Sequence, residues 1–202
     1  ELWKSDGTAS GTVMVKDISS GSAGSFSYTP AVKPVVMNNE LYFNAKDGTN
    51  GYELWKSDGT ASGTVMVKDI YIGTSGSFPQ HLTVVGNTLY FEANDGTNGN
   101  ELWKSDGTAS GTVMVQDIRS SAASSSPRYL TAVGNTLYFQ ANDGTNGNEL
   151  WKSDGTASGT VMVKDINSGG SGSSAQHLTV VGNTLYFSAN DGTNGYELWK
   201  SD

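Results

Sequence analysis

The sequence predicts an all-β fold: a β-propeller of four four-stranded, blade-like repeats. Three observations predict it. A long segment recurs along the chain, each repeat consists of short β-rich runs between turn-forming residues, and the runs are apolar on both faces. Repeats of about 40–50 residues with four strands each are typical of propeller blades. A linear solenoid of stacked sheets would bury the same faces, and it is the alternative.

The recurring segment has the sequence ELWKSDGTASGTVMVKDI at Glu53–Ile70. It returns at Glu1–Ile18, at Glu101–Ile118 with Gln116 in place of lysine, and at Glu149–Ile166, and its first six residues recur as Glu197–Asp202. Successive copies start 52 residues apart at the first step and 48 residues apart thereafter. The repetition predicts one tandem array over 1–202. Its units are about 1–32 (partial), 33–80, 81–128, 129–176 and 177–202 (partial).

One unit, 81–128, illustrates the predicted meander of four strands. Gly86-Asn87 separates the first two β-rich runs, and this pair favours a two-residue hairpin because both residues tolerate positive φ. The second and third runs are separated by a loop of turn formers, and the third and fourth by another. The four runs are His81–Val85, Thr88–Ala93, Glu101–Ser105 and Thr112–Ile118.

Side-chain alternation predicts which faces of these strands are buried. Leu89 and Phe91 point to one face of their strand and Tyr90 to the other, and Leu102 opposes Trp103 in the same way. A sheet with one solvated face would alternate between apolar and polar residues. We therefore expect each sheet to be covered on both sides by its neighbours.

Two irregularities carry predictions of their own. Pro30 and Pro34 flank the start of the second unit, so the strand leading to Met37 is predicted to be short or distorted. The chain also holds five ELWKS segments for four copies of every other strand. If four blades close into a ring, we expect Glu1–Asp6 and Glu197–Asp202 to compete for one position, and the displaced strand to fray or to pair with the edge of another molecule. Such pairing predicts self-association into an oligomer or filament. The alternative is that the array continues beyond these 202 residues.

Composition excludes several classes of function. The formal net charge is −8 without clustered Lys or Arg, which argues against nucleic acid or an anionic membrane as a partner. The absence of cysteine excludes disulfides and thiol catalysis. No apolar run reaches the length of a membrane span, so membrane insertion is not expected. Because the chain starts inside a repeat, we expect it to be part of a longer polypeptide.

The phrase Glu-Leu-Trp-Lys-Ser-Asp-Gly-Thr, followed by Gly-Thr and Val-Lys-Asp-Ile, resembles the ELWxxDGT repeat family of bacterial surface-associated or secreted proteins. The resemblance extends over essentially the whole chain. It implies an extracellular or cell-surface, propeller-like, non-enzymatic array. The chain departs from the pattern at Asn38-Asn39-Glu40, in the hairpin of the second unit.

Catalytic residues are not evident from the pattern. The two histidines, His81 and His177, occupy equivalent positions where the other units have Lys33 and Tyr129. A Ser/His/Asp catalytic triad needs its three residues close together, and nothing in the repeats predicts such an arrangement. The sequence therefore predicts that the chain is not an enzyme.

The Asp-Gly-Thr turns predict a structural role for their carboxylates. An ionised aspartate that accepts hydrogen bonds from turn N–H groups would stabilise its hairpin by about 1–3 kcal/mol. The residues concerned are Asp58, Asp106 and Asp154.

A calcium site is a further hypothesis. Asn94, Asp95, Asn98 and Glu101 place four oxygen-bearing side chains within one short stretch. Calcium prefers six or more oxygen ligands, including carbonyls and water. The spacing differs from that of the recognised calcium loops, and only two of the four side chains are anionic. No other cofactor is implied.

Aromatic residues suggest glycan binding as the alternative function. A lectin-like propeller stacks an exposed aromatic ring on a sugar in each blade. However, a tryptophan next to leucine in a β-strand more often packs between sheets. The candidate glycan contacts are Trp55, Trp103, Trp151, Trp199, Tyr52 and Tyr196. The sequence thus predicts a non-catalytic, extracellular structural or adhesive module, with a multivalent lectin-like propeller as the alternative.

Overall fold

A computed structural model describes residues 1–26 and 32–202. Pro30, on which the prediction for the start of the second unit partly rests, lies outside the described residues. All regular structure in the described ranges is β, in seventeen antiparallel strands. Among these residues no helix has the length and apolar character needed to cross a membrane. The predicted all-β, propeller-like fold is confirmed.

The strands form five sheets along the chain. The first sheet has two strands, β1 (Leu2–Lys4) and β2 (Val13–Lys16). The second has four strands, β3 (Val35–Met37), β4 (Glu40–Ala45), β5 (Glu53–Ser57) and β6 (Val65–Lys68). The third has four, β7 (Gln80–Val85), β8 (Thr88–Asn94), β9 (Asn100–Ser105) and β10 (Val113–Gln116), and the fourth also has four, β11 (Arg128–Val133), β12 (Thr136–Asn142), β13 (Asn148–Ser153) and β14 (Val161–Lys164). The fifth has three strands, β15 (Gln176–Val181), β16 (Thr184–Asn190) and β17 (Tyr196–Ser201).

Each of the three four-stranded sheets is a meander with its strands in sequence order. The first strands of neighbouring sheets approach one another, β3 with β7, β7 with β11 and β11 with β15, so they form the inner edge of the array. The two terminal ELWKS segments both lie in sheets, because β1 pairs with β2 and β17 pairs with β16. The two segments therefore occupy separate positions in this structure and do not compete for one.

The hydrophobic core lies between the sheets. Phe91 and Trp103 of the third sheet pack with Leu54 of the second, whereas Tyr90 and Leu102 pack with residues of the fourth. The side chains thus point to the faces that the alternation predicts, and both faces are covered. A fully buried Leu or Phe contributes about 1.5–3 kcal/mol relative to an exposed one. Neighbouring sheets therefore stabilise one another through every unit.

The second sheet shows the effect of its irregular sequence. β3 has three residues, whereas β7, β11 and β15 have six each. Its hairpin still has two residues, since Asn38 and Asn39 have φ of 52° and 64° and Met37 pairs with Glu40. Asparagine tolerates positive φ, so Asn-Asn replaces Gly-Asn without a change of turn length.

The meander separates two ends of every sheet. We call "turn end" the end that carries the first hairpin and the Asp-Gly-Thr turn, which in the third sheet are Gly86-Asn87 and 106–111. We call "linker end" the opposite end, which carries the loop between the second and third strands and the linker to the next sheet, here 94–99 and 119–127.

Candidate functional site

The turn end is held by hydrogen bonds that recur from unit to unit. Asp106 Oδ1 accepts the backbone N–H of Thr108 at 2.8 Å and the Thr108 hydroxyl at 2.8 Å. The buried Ser105 hydroxyl accepts the Gly107 N–H at 3.0 Å and shares a hydrogen bond of 2.7 Å with Thr112. The two bonds from Thr108, that from its hydroxyl first, lower the pKa of Asp106. Asp58 and Asp154 make the same contacts and fasten their turns in the same way.

The candidate calcium ligands make hydrogen bonds in two different places, within their own loop and to the linker. Asp95 Oδ1 accepts two backbone N–H groups of its own loop at 2.8 Å, and its Oδ2 accepts the Asn98 amide at 2.7 Å. Asn94 Oδ1 accepts the Gly96 N–H at 2.7 Å. The Glu101 carboxylate instead contacts the linker that follows β10. No group of three acidic or histidine side chains suited to a metal occurs within the described ranges, and the calcium site stays a prediction.

The tryptophans proposed as glycan contacts lie mainly in the core. Trp55, Trp103 and Trp151 are at most 8% exposed, so in this structure they cannot stack on a sugar, and that hypothesis needs correcting. Trp199 is half-buried and donates its Nε1–H to the Ala189 carbonyl at 3.1 Å. The two tyrosines of that hypothesis are accessible to different degrees: Tyr52 is half-buried and Tyr196 is 54% exposed.

Glu101, the first residue of its ELWKS segment, has a role that sequence reasoning missed. Its fully buried carboxylate accepts the Ile118 N–H at 3.0 Å, the Ser125 N–H at 2.8 Å and the Ser125 hydroxyl at 2.6 Å. Burial raises the pKa of Glu101 to about 7, although the bonds from Ser125 and Ile118 act in the opposite direction. The carboxylate therefore fixes the linker against the third strand.

The same arrangement recurs in the neighbouring units. Glu53 binds Ser77 and Glu149 binds Ser173 through the same backbone and hydroxyl contacts. A signal for this role was present in the sequence: serine occupies this position in every linker, whereas the residues around it differ. These serines are Ser25, Ser77, Ser125 and Ser173.

Differences between units concentrate at the linker end. Between 81–118 and 129–166 only four positions differ, and the whole Asp-Gly-Thr turn is identical. The differing pairs are His81 and Tyr129, Val84 and Ala132, Glu92 and Gln140, and Gln116 and Lys164. The linkers differ far more, and at the first residue of the first strand Gln80 and Gln176 correspond to Arg128. Strand pairing sets Gln80 opposite Glu92 and Arg128 opposite Gln140, so the variable residues are neighbours in space.

A first depression lies at this end of the fourth sheet and has a volume of about 260 Å³. Its lining is polar and contains no acidic residue. Arg119 and Arg128, both part of this lining, are the only arginines of the chain. The remaining residues that line it are Ser124, Ser125, Ser126, Gln140, Asn142 and Asn148.

A second depression of about 350 Å³ adjoins the first, because Arg128 lines both. His81 Nε2 lies 3.7 Å from Glu92 Oε2. Burial lowers the pKa of His81, and Arg128 acts in the same direction. Burial raises the pKa of Glu92 against the effect of Arg128. This depression is lined by Gln80, His81, Glu92, Asn100, Arg128 and Tyr129.

The backbone is strained where it presents His81. Its φ is 57°, and the pairing register shifts between Gln80 and Thr83, so that two residues oppose Phe91. Such a bulge redirects a side chain, and a left-handed non-glycine residue costs about 1–3 kcal/mol. Tyr129 and His177 have the same conformation, with φ of 57° and 58°. The strain thus belongs to the strand type, and only the side chain it presents changes between units.

Comparisons with known proteins identify the fold and no family. No family model matches the chain, and no curated protein matches it. Puromycin hydrolase, solved as its S511A mutant in complex with PGG, is 14% identical with a TM-score of 0.58. A prolyl endopeptidase structure is 12% identical with a TM-score of 0.50. Both matches cover 84% of this chain and 26% of the solved one, so the chain spans about a quarter of these proteins.

The match to an endo-arabinase from Bacteroides thetaiotaomicron covers 84% of this chain and 73% of the endo-arabinase chain, at 12% identity and a TM-score of 0.35.

The puromycin hydrolase and prolyl endopeptidase structures correct a prediction made from the sequence. The expectation of a non-catalytic structural or adhesive module, and with it the expectation that the chain is not an enzyme, is contradicted because solved structures with this fold are hydrolases. At such identities the likeness concerns the fold alone.

Proposed function

We propose that this chain binds a small polar ligand at the linker end, in the adjoining depressions that meet at Arg128. The observation that carries the proposal is where the repeats differ. Units that are otherwise almost identical change at positions 80/128, 81/129 and 92/140, which line these depressions. Ligand recognition calls for particular side chains at a site, whereas packing between sheets calls for the same side chains in every unit.

The chemistry of the site supports a polar ligand. Serine, asparagine and glutamine side chains supply donors and acceptors, two arginines supply positive charge, and a histidine and a glutamate supply groups that can exchange protons. The backbone beneath them is held in place, because Glu101 fixes Ser125 and the Ser126 N–H donates to the Asn100 carbonyl at 3.1 Å. Polar groups held on a rigid support lose little freedom on binding, which favours affinity.

The chain itself offers a substitution that tests the proposal. Replacing Arg128 with Gln and Tyr129 with His gives the fourth sheet the residues that the third and fifth already carry there. Both the bulge and the fold should therefore be retained. A screen by ligand-observed NMR with monosaccharides, sugar acids, amino acids and dipeptides should find ligands that bind the natural chain at least tenfold more tightly than R128Q/Y129H.

The control for this screen is Ser105→Ala, which changes the turn end and should leave binding unaltered. An absence of ligands in every class, or equal affinity for the natural chain and R128Q/Y129H, would contradict the proposal.

Hydrolysis at the same depression is a second candidate, favoured by the His81–Glu92 pair. Burial keeps His81 neutral to lower pH than usual and Glu92 protonated to higher pH than usual. A neutral histidine can take a proton from an attacking water while a protonated carboxyl donates one to the leaving group. The two shifts therefore suit general acid–base catalysis. The hydroxyl of water would go to the electrophilic carbon and the proton to the departing atom.

His177 supplies the matched control, since Ser188 stands in its unit where Glu92 stands in the third. On p-nitrophenyl esters and peptide p-nitroanilides, the variants His81→Gln and Glu92→Gln should lower any hydrolysis at least 100-fold. His177→Gln should leave it unchanged. Equal loss in both histidine variants, or no hydrolysis by the natural chain, would contradict the catalytic candidate and leave the binding proposal standing.

A further inference from the structure

The distribution of arginine is the least expected electrostatic feature of the chain. The protein has 20 acidic residues and a formal net charge of −8, yet both of its arginines line one depression. In the described part of the chain neither arginine has an acidic side chain within salt-bridge distance, the two such pairs being Lys56–Glu40 and His81–Glu92. Glu92, which lines the adjoining depression together with Arg128, is a nearby carboxylate whose pKa burial raises and Arg128 acts to lower. The lining of the first depression itself contains no carboxylate, so its two guanidinium groups can bind an anion there.

Arg119 is held in place by the neighbouring sheet. Its stem lies against Gly144, where an added Cβ would come within 3.1 Å of Nε and 3.4 Å of Cγ. Gly144 also has a φ of 85°, so a side chain there would be strained as well as crowded. Among the described residues, the guanidinium makes one hydrogen bond to protein, a long one from Nη1 to the Ser124 carbonyl at 3.5 Å. Most of its donors therefore remain free for a ligand.

The groups around the arginines favour a ligand that also carries hydroxyl or amide groups. The Ser124 hydroxyl accepts the Asn100 N–H at 2.9 Å, which leaves its own proton to donate. Gln140 and Asn148 add amide groups to the lining. Glu101, which binds Ser125 of this lining, has its carboxylate covered by its bonds to Ser125 and Ile118. Because a water molecule takes up about 30 Å³, the depression has room for a ligand the size of a monosaccharide or a dipeptide.

We propose that this depression recognises the carboxylate of a small polar molecule, with Arg119 and Arg128 as its two anchors. The inference rests on the proposed ligand site and adds the chemical class of its ligand. Guanidinium groups bind carboxylates through paired, charge-assisted hydrogen bonds, and the hydroxyl and amide groups of the lining would bind the rest of the molecule. A sugar acid and a peptide C-terminus share this chemistry.

Because the chain has only two arginines, its ¹H–¹⁵N spectrum should contain two arginine Nε–H signals. Arg119→Asn and Arg128→Gln each remove one signal and so assign both. These replacements are the residues found at the same positions of the following unit, Asn167 and Gln176, and the fold should tolerate them. These two side-chain signals avoid the overlap that near-identical repeats cause among backbone amide signals.

Two matched probe pairs test the inference and distinguish its sources. D-glucuronate is compared with D-glucose, and Gly-Gly with Gly-Gly amide, at pH 6 and low salt. We expect at least one carboxylate probe to shift both Nε–H signals, and its neutral partner to bind at least tenfold more weakly. The probe that shifts the signals identifies the source as a sugar acid or a peptide. Each arginine variant should lower the affinity at least tenfold. Lys152→Gln should not, because Lys152 lines a separate depression at the turn end of the fourth sheet, together with Asp154.

Several results would overturn the inference. One is a failure of both carboxylate probes to shift the Nε–H signals; another is equal binding of charged and neutral partners; a third is a shift by inorganic phosphate alone. These outcomes differ from failure of the underlying proposal. If the wider screen finds neutral ligands whose binding depends on positions 128 and 129, the proposed ligand site is supported and only its preference for carboxylate is contradicted. If the screen finds no ligand, the proposed site itself is contradicted.

Discussion

The two ends of each sheet differ in how strictly they repeat. At the turn end the three units with Asp58, Asp106 and Asp154 use the same serine, aspartate and threonine, and the bonds they make agree in length to within a few tenths of an ångström. At the linker end the scaffold bonds of Glu101 and its equivalents repeat, whereas the side chains above them change. The difference teaches that folding constrains the turn and the buried glutamate, and leaves the surface above the linker free for recognition.

The two ends also differ in electrostatics. Hydrogen bonds lower the pKa of the turn aspartates Asp58, Asp106 and Asp154, which lie in contact with solvent. Burial raises the pKa of Glu53, Glu92 and Glu101 at the linker end. Carboxylates of the same chain are thus stabilised in their charged form at one end and disfavoured in it at the other.

The largest effect is expected from Glu101→Ala. It would leave the Ile118 N–H, the Ser125 N–H and the Ser125 hydroxyl without their acceptor in a fully buried position. We expect the free energy of unfolding, measured by urea denaturation, to fall by about 3–5 kcal/mol. Glu197→Ala is the matched control, because Glu197 starts the same segment but is exposed, and its loss should be below about 0.5 kcal/mol. Equal losses would refute the role of Glu101 in fixing the linker.

The opposite pKa shifts predict a stability maximum in mild acid. Because the pKa of Glu101 is raised from 4.5 to about 7, its contribution is complete below pH 4.5 and is lost as pH rises through about 7. The aspartates have lowered pKa values, so their contribution is present above about pH 4 and is lost in stronger acid.

Urea denaturation at successive pH values should therefore give the greatest stability between about pH 4 and 5. The fall towards pH 8 should be about 1–3 kcal/mol, and Glu101→Gln should reduce it. A free energy of unfolding that rises steadily to pH 8 would show that ionisation of Glu101 does not destabilise the folded protein.

An intermediate effect is expected at the turn end from Ser105→Ala. The variant loses the hydroxyl that binds Thr112 and the Gly107 N–H in a buried position, at an expected cost of about 1–2 kcal/mol in the free energy of unfolding. Ser201→Ala, in the same position of the fifth sheet but partly exposed, should cost less than about 0.5 kcal/mol. Ligand affinity at the linker end should not change. A change would contradict the claim that the two ends act independently.

The smallest effect concerns the outer edge of the sheet interfaces. Lys68 Nζ donates to the Thr112 carbonyl at 2.8 Å and lies 5.9 Å from the centre of the Trp103 ring. At the next interface Gln116, with its amide turned to donate, reaches the corresponding Thr160 carbonyl at 2.9 Å. Lys68→Gln should lower the free energy of unfolding by about 0.5–1 kcal/mol and Gln116→Lys should raise it by a similar amount, as thermal or urea unfolding can measure. Shifts of the same sign would contradict this account.

Periodicity and alternation were sufficient to predict the fold. The faces assigned to Tyr90, Phe91 and Trp103 are those on which they pack, because alternation along a strand is a local property. The short β3 was likewise anticipated from Pro34. The fate of the two terminal ELWKS segments was not, since strand pairing depends on which edges meet in space.

The site was harder to predict for a similar reason. Glu101 looked like a calcium ligand because it follows Asn98 closely, yet its carboxylate faces a linker 24 residues away. His81, Glu92 and Arg128 are far apart in sequence and are brought together by strand pairing and by contact between sheets. Trp55, Trp103 and Trp151, in contrast, could be placed in the core from their neighbours alone, and their burial removes the sugar-stacking surface in these three units.

The most direct test of recognition at the linker end is a titration with D-glucuronate and with Gly-Gly, followed through the two arginine Nε–H signals in the natural chain, with binding to R128Q/Y129H followed by calorimetry. The account predicts that at least one of the two probes gives saturable shifts of both signals in the natural chain and that the variant binds this probe at least tenfold more weakly. Ser105→Ala should bind like the natural chain. Equal affinity of all three proteins for a carboxylate ligand would contradict the account, because recognition would then lie outside the part of the chain where the repeats differ.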